Sequence, residues 1–295
     1  MQHADHAADR LLGAALVTAS AAVFGVAGVL TKSIQADPLT ISCWRGLVGG
    51  LAIMAYVLWR RTGDGASMRL GWRGWLMAVI GAIASIAFIA AFKHGYVANV
   101  AIIYATSPFV AALLSFLLIG EAFRGQTLAA ATLSGVGVAI MVFSGLGHAS
   151  LVGDLLALVM TVLSALYMVL IRKFRQTPVV WAGAVSGFLI FALGWLVADP
   201  LSVDKHDVVL LFLFGLSFAL ASILWTEGAR LIPAAEAGLL GSAEVPFAIL
   251  FAWIVLAELP PLASFIGGAI VLVAVFAHAG LDFRAARRQR AATMP

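Results

Sequence analysis

The chain has 295 residues, 63% of them hydrophobic and 11% charged, against roughly 45–50% and about 25% in ordinary soluble domains. With a mean hydropathy of +1.05 and no polar stretch long enough to enclose its own core, it is a polytopic membrane protein whose activity must sit within a helix bundle. A single cysteine, Cys43, excludes an intramolecular disulfide and a cysteine metal cluster, and the formal charge of +4 lies mainly in loops and tail, where it orients the protein in a membrane and does not mark a nucleic-acid binder.

Residues 1–10 form a polar leader. The triplet Ala19-Ser20-Ala21 resembles a signal-peptidase site, but Asp5 and Asp9 accompany Arg10 and the apolar run continues past the triplet, so no cleavage is expected. A bilayer core about 30 Å thick takes about 20 apolar residues per helix. Ten runs of that size follow, at Leu11–Leu30, Leu39–Trp59, Trp75–Phe92, Val97–Ile119, Thr127–Leu146, Gly153–Ile171, Pro178–Ala198, Asp207–Thr226, Ala234–Leu256 and Pro261–Ala279. Their connections are short, so neighbours run antiparallel. The fold class expected is all-α integral membrane, ten transmembrane helices.

The fourth and ninth runs carry a repeated pattern. Ser107 to Glu121 reads SPFVAALLSFLLIGE and Val245 to Glu258 reads VPFAILFAWIVLAE, with thirteen residues from proline to glutamate in the first copy and twelve in the second. Three apolar runs precede each copy and one follows it. The chain therefore divides into two five-helix repeats, 11–146 and 153–280, with a basic tail at 281–295. An odd number of spans per half makes the second half cross the membrane in the opposite sense, an inverted repeat suited to rocking about a central site.

Counting Lys and Arg in alternate loops places fourteen on the side of the termini and three, Lys32, Lys93 and Lys205, on the other, with Arg45 inside a span. By the positive-inside rule both termini are expected to be cytoplasmic.

In its residues the chain resembles the drug/metabolite transporter superfamily in its ten-helix, EamA-type form. The resemblance rests on Val23-Phe24-Gly25 with Thr31-Lys32, Asp37-Pro38-Leu39-Thr40 followed by Arg45, and the two Pro-to-Glu stretches. It departs from the usual pattern in having Phe24 where tryptophan is common, and in reaching Glu258 without the glycine that Gly120 supplies before Glu121. The resemblance implies a secondary transporter of a bacterial inner membrane, and within the superfamily it points most to YddG-type exporters of aromatic and other amino acids. It also implies a central cavity among helices three, four, eight and nine.

No phosphate loop, His-Glu-x-x-His or Cys-x-x-Cys is present, so neither a cofactor nor a metal is expected and the protein is not expected to be an enzyme. What remains are polar groups inside apolar spans, each costly enough to require a reason. Glu244 leads. On a continuous ninth helix it shares a face with Ala237, Gly241 and Ala248, a small-residue stripe that admits a substrate or a neighbouring helix. It either carries a proton or meets the ammonium of an amino acid, or it bonds a carbonyl freed by Pro246. Arg45, near the start of the second span, is read as structural, snorkelling to the surface or bonding a carbonyl.

Asn99, Tyr104, Thr106 and Ser107 lie in the fourth helix, where Tyr104 and Ser107 at i,i+3 continue to Ala111 and Ser115; pocket wall and packing seam fit this pattern equally. Pro108 frees the carbonyl of Tyr104, and Pro108 and Pro246 are candidate hinges. Glu121 and Glu258 are candidate gating groups at helix ends. Phe88, Tyr167, Trp181 and Trp225 are candidates for an aromatic lining, although Trp and Tyr also mark the membrane interface, as Trp59, Trp72 and Trp75 are expected to do. Lys93 and His94 are candidates for a cavity mouth, or are simply solvated. Glycines such as Gly137 and Gly267 are read as close-packing positions. The substrate-binding set expected is Phe88, Asn99, Tyr104, Ser107, Tyr167, Trp225, Ser242 and Glu244. The expected function is alternating-access export of amino acids or related small metabolites by a monomer in a lipid bilayer, with a facilitator, a drug exporter, a channel and a membrane enzyme as alternatives.

Overall fold

The computed structural model describes residues 2–64, 69–121, 125–144, 150–174 and 176–293; the loop arginines Arg124 and Arg175, used above for orientation, lie outside them. Thirteen helices appear among the described residues: α1 (Gln2–Gly25), α2 (Ala27–Ser33), α3 (Pro38–Asp64), α4 (Gly71–His94), α5 (Val97–Ala105), α6 (Ser107–Ile119), α7 (Gly125–Ser144), α8 (Ser150–Lys173), α9 (Val179–Val197), α10 (Lys205–Leu231), α11 (Ala234–Gly241), α12 (Glu244–Leu256) and α13 (Leu262–Thr293). They compose ten spans long and apolar enough to cross a bilayer. The first, fourth and ninth spans are each two helices in series. No strand occurs among the described residues.

Local chemistry sets the helix ends. Asp37 caps α3, its Oδ1 accepting from the amides of Leu39 at 2.8 Å and Thr40 at 3.0 Å, with Pro38 at the first helical position where its missing N–H costs nothing. Burial pushes the Asp37 carboxyl up, but the bonds from Thr40 and Leu39 outweigh it and hold the group below its ordinary value. At the other end of the repeated motif, α6 stops at Gly120, φ +80°, and α12 stops at Ala257, φ +50°. Both are left-handed caps, closed by Glu121 N–H to Ser115 O and Glu258 N–H to Ala252 O, each 3.4 Å. The departure noted in the motif is thus one of residue, with the geometry kept: alanine stands in a backbone conformation that glycine adopts without strain.

The two halves interlock about pseudo-twofold contacts made by small residues. A Cβ on Gly46 of α3 would meet the carbonyl oxygen of Gly187 of α9 at 2.6 Å, and one on Gly137 of α7 would meet that of Gly267 of α13 at 2.6 Å. Backbones this close leave no room for a side chain. Around this axis α1 packs on α10 as α4 packs on α8. Bulky apolar side chains such as Leu117, Leu196 and Trp253 face outward, as a bilayer-facing surface requires. Trp59, Trp72 and Trp75 are exposed as well.

Candidate functional site

Three spans are broken within their length, and the breaks frame a central cavity. The first break, at Val26 between α1 and α2, was not foreseen. It lies next to Gly25, where a Cβ would meet Phe247 Cβ at 2.7 Å, so α12 presses on the first span at its bend. The other two follow the prolines: α5 gives way to α6 at Thr106, and α11 to α12 at Ser242-Ala243. Pro108 and Pro246 cannot donate to the helix behind them, which leaves the chain free to bend there.

The cavity holds about 320 Å³. Phe24, Phe88, Tyr104, Tyr167 and Phe218 supply aromatic walls, and Ser85, Ser164 and Ser186 supply hydroxyls. Besides the tyrosines, two ionisable groups reach it, Arg45 from α3 and Glu244 from the first turn of α12. Arg45 is 6% exposed. Its Nη2 donates to Ser85 Oγ at 2.7 Å, and its guanidinium carbon lies 4.4 Å from the ring centre of Phe218 and 5.2 Å from those of Phe88 and Phe214. A cation so placed gains from ring quadrupoles, yet no carboxylate of a described residue forms an ion pair with it. Glu244 likewise has no hydrogen bond or ion pair among the described residues. The site thus offers a guanidinium and a carboxyl group with no bond between them. No group of three or more His, Cys, Asp or Glu able to hold a metal ion occurs among the described residues.

Phe88, Tyr104, Tyr167 and Glu244 of the expected set line this cavity; Asn99, Ser107, Trp225 and Ser242 do not. The helix breaks explain much of the difference. Tyr104 belongs to α5 and Ser107 to α6, so i,i+3 spacing no longer puts them on one face; Ser107 is buried in the first turn of α6. The same correction applies to the stripe proposed for Glu244, since Ala237 and Gly241 lie on α11, before the break. Ser242 Oγ turns back to Gly238 O at 2.8 Å, and Trp225 packs over Gly241 with its outer side exposed. Asn99 Nδ2 donates to Asp154 Oδ1 at 3.3 Å, away from the cavity. Trp181 borders a peripheral groove with Leu70 and Trp75. Lys93 is not free at a mouth, since its Nζ donates to the Ile34 carbonyl; His94 is exposed beside it. Arg45 does not snorkel. Seven residues beyond Pro38 put it about 10 Å along α3, too deep for its head to reach the near surface, and that depth was the signal available in the sequence.

Glu258 and Glu121 have equivalent positions and unequal surroundings. Glu258 pairs with Lys32, and its Oε2 also accepts from Val97 N–H at 2.8 Å, at the N-terminus of α5. Glu121 pairs with Arg172 at 2.7 Å and bonds no α11 group among the described residues. The packing follows the same asymmetry. On the face opposite the termini α5 packs against α12 and α13, through Val97 and Ala101 with Val245, Ala248 and Val271; on the termini face α11 makes no comparable contact with α6 or α7 among the described residues. The cavity is closed towards the face opposite the termini. Pro246 lies on a separate apolar groove of about 710 Å³ that opens sideways between α12 and α13.

A ten-span bundle of two five-helix halves matches the profile of the EamA-like transporter family twice, over residues 11–143 and 151–278. The chain belongs to that family. This EamA protein is a multi-pass membrane transporter. It is 29% identical over 259 residues to an uncharacterized transporter of Archaeoglobus fulgidus, covering 82% of this chain and 88% of the relative. A solved crystal structure superposes on it with a TM-score of 0.65 at 22% identity, covering 91% of this chain and 97% of the other, a likeness that shows the fold.

Proposed function

We propose that this transporter exports zwitterionic amino acids with apolar or aromatic side chains, by alternating access, from the cytoplasm across a bacterial inner membrane. The observation that carries the proposal is the unpaired guanidinium and unpaired carboxyl group in one aromatic cavity: Arg45 takes the substrate carboxylate and Glu244 its ammonium, while Phe24, Phe88 and Tyr167 surround the side chain. A guanidinium matches a carboxylate in a bidentate fork, and rings favour an apolar or aromatic body. With the termini cytoplasmic, as the loop charges support, the closed face is the external one, and the substrate enters from the cytoplasm. Export then requires the two faces to exchange roles, and each state gains only by its differential affinity for the substrate.

The test is counterflow of labelled phenylalanine in proteoliposomes, competed by phenylalanine amide, which lacks the carboxylate, and by 3-phenylpropionate, which lacks the ammonium. Removing one partner of a buried charge pair costs about 2–4 kcal/mol, so each analogue should compete roughly 30- to 1,000-fold more weakly than phenylalanine. Arg45→Leu should abolish the preference over the amide, and Glu244→Gln the preference over the acid. Equal competition by all three compounds would refute the zwitterion site, and unsaturable leak would identify a channel.

A further inference from the structure

Asp154 and Asn99 meet where α8 packs on α5, at the closed face and outside the central cavity. Both are buried, at 0% and 2% exposure. The approach of the two segments is close because Gly153 of α8 lies directly against Gly95, in the turn between α4 and α5. One bond joins the side chains, Asn99 Nδ2 to Asp154 Oδ1 at 3.3 Å. The other oxygen of each, Asp154 Oδ2 and Asn99 Oδ1, is buried with no partner. Two orphaned acceptors in an apolar interface cost several kcal/mol together. A single proton on Asp154 Oδ2 turns one orphaned acceptor into a donor, and Asn99 Oδ1, on the amide already bonded to the same carboxyl, is the orphaned acceptor available to it.

Among the described residues no cation offers an alternative. Of the elements packed on α8, α4 brings Arg73 at its far end, Lys93, committed to the Ile34 carbonyl, and the exposed His94, and the turn after it brings Tyr96. Helix α5 brings Tyr104 at its far end, and α6 and α7 carry no titratable side chain. On α8 itself Tyr167, Arg172 and Lys173 lie three or more turns away.

The second half of the fold shows what the same position looks like on an open face. Asn99 is the third residue of α5 and Glu236 the third of α11, and where α11 meets α1 Glu236 pairs with Arg10 at 2.9 Å, with the Arg10 side chain 57% exposed. Here the carboxylate faces a cation and lies in reach of water. We propose that Asp154 and Asn99 form a proton-binding site, occupied while the face opposite the termini is closed and emptied when that face opens. On opening, water reaches the pair and Asp154–COOH transfers its proton to a water molecule, leaving a carboxylate and a hydronium ion. Protonation therefore favours the closed face. The site needs no particular substrate, so it stands or falls separately from the amino-acid reading.

Infrared spectroscopy of the reconstituted protein tests it directly. The wild type should show a carboxylic-acid carbonyl band at neutral pH that Asp154→Asn removes and Glu244→Gln retains. Asn99→Leu should keep the band and move it to higher frequency, since the acid loses its amide partner; this variant serves if Asp154→Asn does not fold. In parallel, thiol labelling of a cysteine placed at Ala101, on a Cys43→Ser background and divided at each pH by the rate of an exposed reference cysteine so that thiolate formation cancels, should accelerate with rising pH by up to about tenfold per pH unit, the limit for one linked proton, and Asp154→Asn should flatten that dependence. A band unchanged in Asp154→Asn or lost in Glu244→Gln, or labelling whose pH dependence survives Asp154→Asn, would overturn the proposal.

Discussion

The bond between Glu258 and Val97 is the contact that most distinguishes the closed face from the open one, and its removal has a calculable effect. Lys32–Glu258 and Arg172–Glu121 are equivalent pairs, both formed, so neither decides which face is shut. The Glu258 carboxylate, 11% exposed, additionally accepts from the first amide of α5, where it also meets the positive end of the helix dipole. A hydrogen bond to a charged acceptor in such a setting is worth about 1.5–3 kcal/mol, and Glu258→Gln keeps an oxygen there while removing the charge, which leaves a net loss of about 1–2 kcal/mol. On a two-state equilibrium that is roughly a 5- to 30-fold shift towards opening. Glu121, 43% exposed, takes part in a surface pair worth about 0–1 kcal/mol, so Glu121→Gln should change the equilibrium less than about fivefold. The assay is the labelling rate of a cysteine at Ala101, buried between α5 and α12, in a Cys43→Ser background. Acceleration of 5- to 30-fold in Glu258→Gln with little change in Glu121→Gln is expected. Equal effects of the two substitutions, or no effect of Glu258→Gln, would show that the α5–α12 contact is not the latch.

Two further outcomes concern the frame that holds the cavity. Ala257→Gly should raise thermal stability by about 1 kcal/mol, because Ala257 sits at φ +50° where a Cβ is penalised and glycine is not; a fluorescence melt in detergent measures it, and a lower midpoint would contradict the strain assigned to that cap. Gly46→Val should abolish correctly folded protein, since even a Cβ would lie 2.6 Å from the Gly187 carbonyl oxygen, whereas Gly183→Val, with nothing within 4 Å of its Cβ, should fold normally. Size-exclusion profiles of the two variants compare them, and equal behaviour would place the halves further apart than described.

The architecture was legible in the sequence because it rests on signals that survive averaging: apolar runs of bilayer length and a motif repeated at matching positions. The site was legible only where a residue's side of a helix did not matter. Phe88, Tyr167 and Glu244 lie close to the cavity by depth alone, and depth would also have found Arg45. Reasoning by helical face failed in the fourth and ninth spans, because it assumed continuous helices through Thr106 and Ser242 while the same prolines that marked the hinges had already interrupted them. Asp154 was passed over for a different reason. It stands second in its apolar run, where a carboxylate reads as a helix end in water, and only the approach of Gly153 to Gly95 removes it from solvent.

Inverted repeats make this comparison possible within one molecule, since each element on the closed face has a counterpart on the open one. The backbone obeys the symmetry closely, down to the left-handed caps at Gly120 and Ala257. The chemistry does not. Where α1 meets α11 the chain places Arg10 with Glu236, a pair that holds equally well in water; where α8 meets α5 it places Asp154 with Asn99, a pair that is satisfied only when dry and protonated. Two faces built from the same pieces are therefore expected to close with different free energies, and on the proposal made for Asp154 the difference depends on pH. Faces that differ in this way give an empty carrier a preferred resting state, which two identical faces could not do.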